Sequence, residues 1–445
     1  NHLVYNDVAI YKQKNERKFS MKEKIFISAF SCMPHMGSEP GVGWHWVLEM
    51  SKYFELWVLV HKEQIDDIES FVIQNGLNKT IHFIYYDIPL NSLFFKNGNF
   101  KWVRTYYYIW TILSNKIVKK TMQDNGINIF HHLTFGNAIW PVSKFGQTQK
   151  FIWGPIGGVE TIPEEFTKHY DIKSRILESI RRIMVKSLKY RIGFNQRCKN
   201  AYLILCKTEA MRMAVPEKWR QKAVLFTDVA VEDADTNCSI SSNNSPNKTI
   251  ELLSVGRLDA WRGFDLLLEA FAIAYKQNPQ MHLTILGNGM YKAELLNMRS
   301  RLGIEKTVDF LGNIPMDEYR QKIAQCDFVV NSSLKEGAVT VSFDSMRYGK
   351  PLICVDTGGY TRYFNNDYAM VLPQQNRESL IQSLADAIIR LASDIELRKL
   401  MGEKAQRTGK QFLWETKGEQ IRDVIYRLDN NIQHQAGSWI FRSST

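Results

Sequence analysis

Cysteine is scarce in this chain: six in 445 residues, at positions 32, 198, 206, 238, 326 and 354. They lie far apart, with no CxxC pair and no His/Cys cluster. Neither a disulfide framework nor a zinc site is therefore indicated, and a reducing compartment fits best. Long apolar runs are missing too. None approaches the roughly 18 residues that a spanning helix needs, which argues against an integral membrane protein. Residues 1–20 hold no apolar core segment, so they are not a signal peptide. No repeat of solenoid period is visible. Acidic residues are outnumbered, 46 against 57 lysines and arginines, leaving a net charge of +11. That balance points to an anionic partner: nucleic acid, an acidic membrane face or phosphate-bearing substrates. No recognisable nucleic-acid module accompanies it. Apolar residues make 44% and charged residues 23%, a globular composition rather than a disordered one. The length exceeds one ordinary core and suggests two or three domains.

What is present is an alternation of short apolar runs with amphipathic stretches. Met21-Lys22-Glu23-Lys24 reads as a natural start and Ile25-Phe26-Ile27 as the first buried strand, so 1–20 is a leader or leftover tail. Strands are expected over 25–30, 56–61, 81–85, 127–132, 150–153 and 202–206, with helices between them, for example 43–53 and 104–122. Residues 232–248 carry almost no apolar side chain and form a polar joint. Asp233-Ala234-Asp235, inside that joint, imitates a metal-binding DxD but reads as a solvated loop. A second alternation follows, with strands at 252–255, 282–286, 307–311, 327–331 and 351–355. Phe264, Leu267, Leu268, Phe271 and Ala274 repeat on one helix face. Helices near 376–393, 395–407 and 412–428 close the chain, and 433–445 is an aperiodic tail. The fold class is α/β: two doubly wound Rossmann-like domains facing across a cleft, with ligands at the carboxyl ends of their strands.

Five segments offer chemistry at such strand ends. Gly256-Arg257-Leu258-Asp259-Ala260-Trp261-Arg262-Gly263 follows a strand and opens a helix. Its two guanidiniums either clamp a diphosphate or sit solvated on a turn. Ser332 to Met346 begins at the end of a buried strand; Glu336 lies on the loop, and Asp344 shares a helix face with Thr340. The pair either binds two hydroxyl-bearing parts of one ligand or is a helix-start carboxylate and an exposed aspartate. Gly37-Ser38-Glu39-Pro40-Gly41-Val42-Gly43 is a glycine-rich loop that either meets a ligand or packs domains together. His131 and His132 end a strand and are either substrate contacts or structural residues. Phe151 to Glu160 runs from strand into glycines, for a ligand or for a turn.

Taken in order, these segments resemble retaining glycosyltransferase family 4, of GT-B fold, over roughly 25–430. The likeness is strongest over 250–360 and in the closing Phe412-Leu413-Trp414-Glu415. The resemblance implies an acceptor-binding domain at 21–231, a nucleotide-sugar-binding domain at 249–407 and a helix at 408–432 packing back on the first. It implies that Arg257 and Arg262, with Gly41 and Gly43, hold the donor diphosphate; Arg262 stands where lysine is usual. The EG-x6-E signature falls on Glu336 and Asp344, the second a methylene shorter than the family's glutamate. Glu336 would contact the donor sugar and Asp344 the ribose, with Gly337, Ala338, Val339, Thr340 and Asn313 completing the sugar and nucleoside site. His131 or His132 would be the cleft histidine and, with Glu336, a catalytic residue. Gly358-Gly359 matches a family glycine pair, and Arg362 falls where an acidic residue is common.

The expected activity is retaining transfer of a hexose or related sugar, from a nucleotide-sugar co-substrate to a glycan or polyisoprenoid-linked acceptor, in polysaccharide biosynthesis. No metal and no other cofactor are expected. Another GT-B enzyme, such as a nucleotide-sugar epimerase, and an idle nucleotide-sugar-binding subunit are the alternatives. Residues 168–199 add ten lysines and arginines against Asp171 and Glu178, and Ile172, Ile176, Ile180, Ile183 and Leu188 form an apolar stripe. With the aromatics of 100–110, that suits either an anionic membrane face or a solvated cationic surface. Arg181, Arg182, Lys186 and Lys189 are the expected lipid contacts. The expected location is cytoplasmic, with peripheral attachment to the inner face of the plasma membrane.

Overall fold

The computed structural model describes residues 22–429, apart from 90, 97–98, 101, 144–148, 233–248 and 336–338. The expected leader, nearly all of the polar joint and the C-terminal tail therefore lie outside the described residues.

The apolar runs become two parallel sheets. The first joins β1 (Lys24–Ser28), β2 (Glu55–His61), β3 (Ile81–Tyr86), β4 (Ile129–His132), β5 (Lys150–Ile156), β6 (Ala201–Cys206) and β7 (Ala223–Leu225). The second joins β8 (Ile250–Val255), β9 (Met281–Leu286), β10 (Val308–Gly312), β11 (Phe328–Asn331), β12 (Leu352–Asp356) and β13 (Ala369–Pro373). Strand orders are 3-2-1-4-5-6-7 and 10-9-8-11-12-13. Each order reverses once, between β1 and β4 and between β8 and β11. Those are the points where a doubly wound sheet opens a crevice at its strand ends.

Alternate residues of each strand enter different cores. Ile25, Ile27 and Val58 pack beneath α1 (Ser38–Ser51), with its Trp46, Val47 and Met50. Phe26, Trp57 and Phe130 point the other way, under α2 (Val103–Leu113), which supplies Tyr106, Tyr107 and Trp110. An amphipathic α3 (Ile172–Lys186) precedes β6. In the second sheet, Leu252, Leu283 and Val330 pack against α4 (Phe264–Gln277). Its other face joins Phe343 and Met346 of α6 (Thr340–Arg347), which follows α5 (Met316–Gln325). The last long helix, α7 (Trp414–Asp429), returns to the first half. Lys417 Nζ donates to the Thr227 carbonyl at 2.7 Å, and Trp414 stacks on His45 of α1 at 5.0 Å.

Three local features differ from expectation. Two edge strands, β7 and β13, were not expected; one has three residues and the other ends in proline. The helix expected over 104–122 divides at Ser114, whose hydroxyl bonds the Thr111 carbonyl. Helix α1 starts at Ser38, five residues early, so Gly41 and Gly43 lie within it.

Candidate functional site

The second switch point is built by mutual contact of two loops. After β8 the chain turns through Gly256, and Arg257 Nε donates to Asp259 Oδ2 at 2.6 Å. Trp261 Nε1 donates to the same oxygen at 3.2 Å. Gly263 then adopts φ +66°, and a Cβ there would lie 2.2 Å from the Ser332 carbonyl oxygen. Only glycine permits both that backbone and that approach. The loop after β11 closes the junction. Ser332 Oγ donates to the Arg262 carbonyl at 3.1 Å, and Leu334 N donates to the Trp261 carbonyl at 3.0 Å. Arg262 Nη1 reaches Ser333 Oγ at 3.5 Å.

Three cations gather here. Arg257 is mostly exposed. The Arg262 guanidinium lies 4.4 Å from the centre of the Trp261 ring, and Lys335 Nζ lies 5.1 Å from it. Lys335 pairs with Glu178 of α3, both side chains largely buried. Burial, and then Arg181 nearby, hold the Lys335 ammonium down at about 8. This pair spans 157 residues and was not expected from the sequence.

Of the expected acidic pair, Glu336 lies outside the described residues, as do Gly337 and Ala338. Val339 caps α6 in extended conformation, and Thr340 opens it. Asp344 sits one turn on, accepting from Tyr319 OH of α5 at 2.6 Å. Burial pushes its carboxyl up to about 6. The oxygen expected to meet a ribose is thus held by a tyrosine. Beside it, Glu232 accepts from His45 at 3.0 Å and from Arg320 at 3.5 Å, and it pairs with Arg347. The His45 bond chiefly holds its carboxyl down at about 2. This cluster ties α1, α5 and α6 together; from the sequence, Glu232 read only as part of the polar joint. Asn313 is exposed just beyond the end of β10.

At the first switch point the expected contacts are enclosed by the protein itself. A Cβ on Gly41 would lie 1.9 Å from the Met36 carbonyl oxygen, and one on Gly43 would lie 2.4 Å from that of Ser31. Both glycines seat α1 against the loop that follows β1. His131 and His132 are buried in β4. His131 Nε2 bonds the Gly154 carbonyl at 2.7 Å, and His132 Nε2 meets Tyr107 OH at 3.2 Å. Burial lowers them to about 4 and about 3, so both rings are neutral at neutral pH. The glycine segment after β5 is fastened by α3: Arg181 donates to the Gly158 and Glu160 carbonyls at 2.9 and 3.3 Å. Arg182 bonds the Ile162 carbonyl at 3.1 Å and pairs with Glu164. These two arginines brace a loop and are not the free lipid contacts expected.

Residues 236–408 match the model of the family described as glycosyl transferases group 1. An uncharacterized glycosyltransferase of Methanocaldococcus jannaschii is 22% identical over 326 residues, 72% of this chain and 81% of that one. An N-acetylgalactosaminyltransferase of Campylobacter jejuni, named for an N-acetylgalactosamine-N,N'-diacetylbacillosaminyl-diphospho-undecaprenol substrate, is 30% identical over 163 residues. That match spans 36% of this chain and only 42% of the relative's length. Among solved structures, the Anabaena protein HepE in complex with UDP and glucose superposes with TM-score 0.56 at 16% identity, covering 91% of this chain and all of the other. Sucrose-phosphate synthase of Thermosynechococcus elongatus superposes with TM-score 0.63 at 16% identity, covering 92% and all of the other. At such identities the superpositions establish the shared fold. The match to the group 1 glycosyltransferases thus lies in residues 236–408, the half that carries the second sheet, on a two-domain GT-B frame.

Proposed function

We propose that the chain transfers a hexose or related sugar from a nucleoside diphosphate sugar to a glycan or lipid-linked glycan, with retention of configuration and without a metal. The observation that carries this is the junction of the β8 and β11 loops at Gly263 and Ser332, where Arg262 and Lys335 lie against the Trp261 ring and Arg257 shares the Asp259 carboxylate with that ring's N–H. A diphosphate leaving group develops negative charge as the glycosidic bond breaks. Preformed cations at that place lower the barrier without reorganising. Arginine forks suit phosphate oxygens, and Lys335, charged at neutral pH and held by Glu178, stands beside them. The acceptor hydroxyl attacks from the face the diphosphate leaves. Its oxygen bonds to the anomeric carbon while the diphosphate oxygen departs and takes the proton.

The neutral His131 is assigned to positioning, through the Gly154 carbonyl, rather than to proton transfer. Glu336 is assigned to the donor sugar, and Asp344 to the nucleoside side of the crevice. The acceptor faces the first domain. A lipid-linked acceptor is supported by the substrate in the name of the Campylobacter relative, and a uridine donor by the UDP in the Anabaena structure. A cytoplasmic setting accords with five free, buried cysteines among the described residues. No helix among those residues is long and apolar enough to cross a membrane. Incubation of the purified chain with a panel of nucleotide sugars and native lipid extract, read by mass spectrometry, tests the proposal. A glycosylated lipid or glycan with release of nucleoside diphosphate is expected. Donor turnover to an epimer without transfer would refute it.

A further inference from the structure

Helix α3 has one face tied into the protein and one face with nothing on it. No residue of it is fully buried. Ile172, Ile176, Ile180 and Ile183 are 77, 54, 49 and 68% exposed. At 100° per residue these four lie within an arc of roughly 80°, one continuous aliphatic stripe. Lys173 borders the stripe on one side, and Arg175 and Lys186 on the other, all exposed. The helix is not loosely placed. Its opposite face carries Glu178, paired with Lys335, and Arg181, bonded to the Gly158 and Glu160 carbonyls.

We propose that the outer face of α3 docks this protein on an anionic lipid bilayer. Charge selects that occupant. Glu178 is the only acidic residue within the helix, and it is turned inward. Asp171, just before it, is engaged as the helix cap on Ser174 N. The helix's own outward face thus carries cations and no carboxylate; the nearby Glu164 is paired with Arg182 at its flank. A second copy would bring the same cations face to face and be repelled. A bilayer with anionic headgroups meets the lysines and arginine while its acyl boundary receives the isoleucines. The surface continues past the helix through exposed Tyr190, whose ring lies 4.9 Å from Lys189 Nζ, and exposed Ile192. Such a ring suits the headgroup level.

This inference stands apart from the sugar chemistry, and its test does not use it. The full chain is sedimented with vesicles of phosphatidylcholine alone and of phosphatidylcholine containing phosphatidylglycerol. Pelleting is expected only with the second kind, weakening as salt rises. Ile176→Ser with Ile180→Ser keeps every charge and should lower vesicle affinity about tenfold or more. Lys173→Gln, Arg175→Gln and Lys186→Gln together should abolish the preference for anionic lipid. Unchanged thermal unfolding in both variants is the control for folding, since none of these residues is buried. Equal recovery in the supernatant for both vesicle types would overturn the proposal, as would pelleting that the serine variant leaves intact. A dimer that dissociates in the serine variant, in a chain that ignores vesicles, would assign the stripe to self-association instead.

Discussion

Replacing Glu178 by Gln tests how the two halves are joined. Lys335 and Glu178 side chains are 6 and 13% exposed, so the pair is effectively buried. Breaking a buried pair by removing one partner ordinarily costs about 3–5 kcal/mol, because a charge is stranded. Here the lysine has an escape. Its ammonium is already held down at about 8, so shedding the proton at pH 7 costs about 1.4 kcal/mol. Adding about 1 kcal/mol for the lost charge-assisted bond, the expected destabilisation is about 2–3 kcal/mol at pH 7. Because the folded pKa lies below the free lysine value, the unfolded chain binds more protons between about 8 and 10.5, and stability from this group rises with pH there. Glu178→Gln should extend that rise below pH 8. The gap between variant and parent should therefore narrow at pH 9. Urea midpoints at pH 7 and pH 9 measure it. An equal gap at both values, or one near 5 kcal/mol at pH 7, would refute the reasoning.

Three further outcomes follow from the same geometry. Gly263→Ala meets the Ser332 carbonyl and a positive φ at once, so it should cost about 2–4 kcal/mol and weaken nucleotide binding; calorimetry on the variant checks both. Asp344, raised to about 6, keeps its proton longer in the folded state, so its contribution falls as pH rises from about 4 to 6. Asp344→Asn should remove that fall, and denaturation midpoints at the two pH values would expose an error if the slope persisted. Glu336→Gln keeps shape and removes charge, so donor turnover should drop by an order of magnitude or more, about what loss of one charge-assisted bond predicts, while nucleotide affinity stays. Normal turnover would remove it from the site.

Much of the frame was legible because it is written in local pattern. Buried parallel strands read as uninterrupted apolar runs, and both switch-point loops could be placed from the glycines that follow them. The edges were harder, since Ala223–Leu225 and Ala369–Pro373 are too short or too interrupted to stand out. What sequence could not supply were partners distant in the chain. Glu232 meets His45 across 187 residues and Arg347 across 115. The ten cations of 168–199 were countable, but only the structure separates Arg181 and Arg182, which bind carbonyls, from Lys173, Arg175 and Lys186, which face outward. Gly41 and Gly43, expected at a ligand loop, lie within a helix that rests closely on its own chain, a packing the sequence did not reveal.

The most direct test of the central claim is titration calorimetry of UDP against the parent chain, Arg257→Ala and Arg262→Ala. Each guanidinium should contribute about 1.5–3 kcal/mol through charge-assisted bonds, so each variant should raise the Kd by about tenfold or more with the fold intact. Identical Kd values in all three would contradict a diphosphate site at the junction of the β8 and β11 loops.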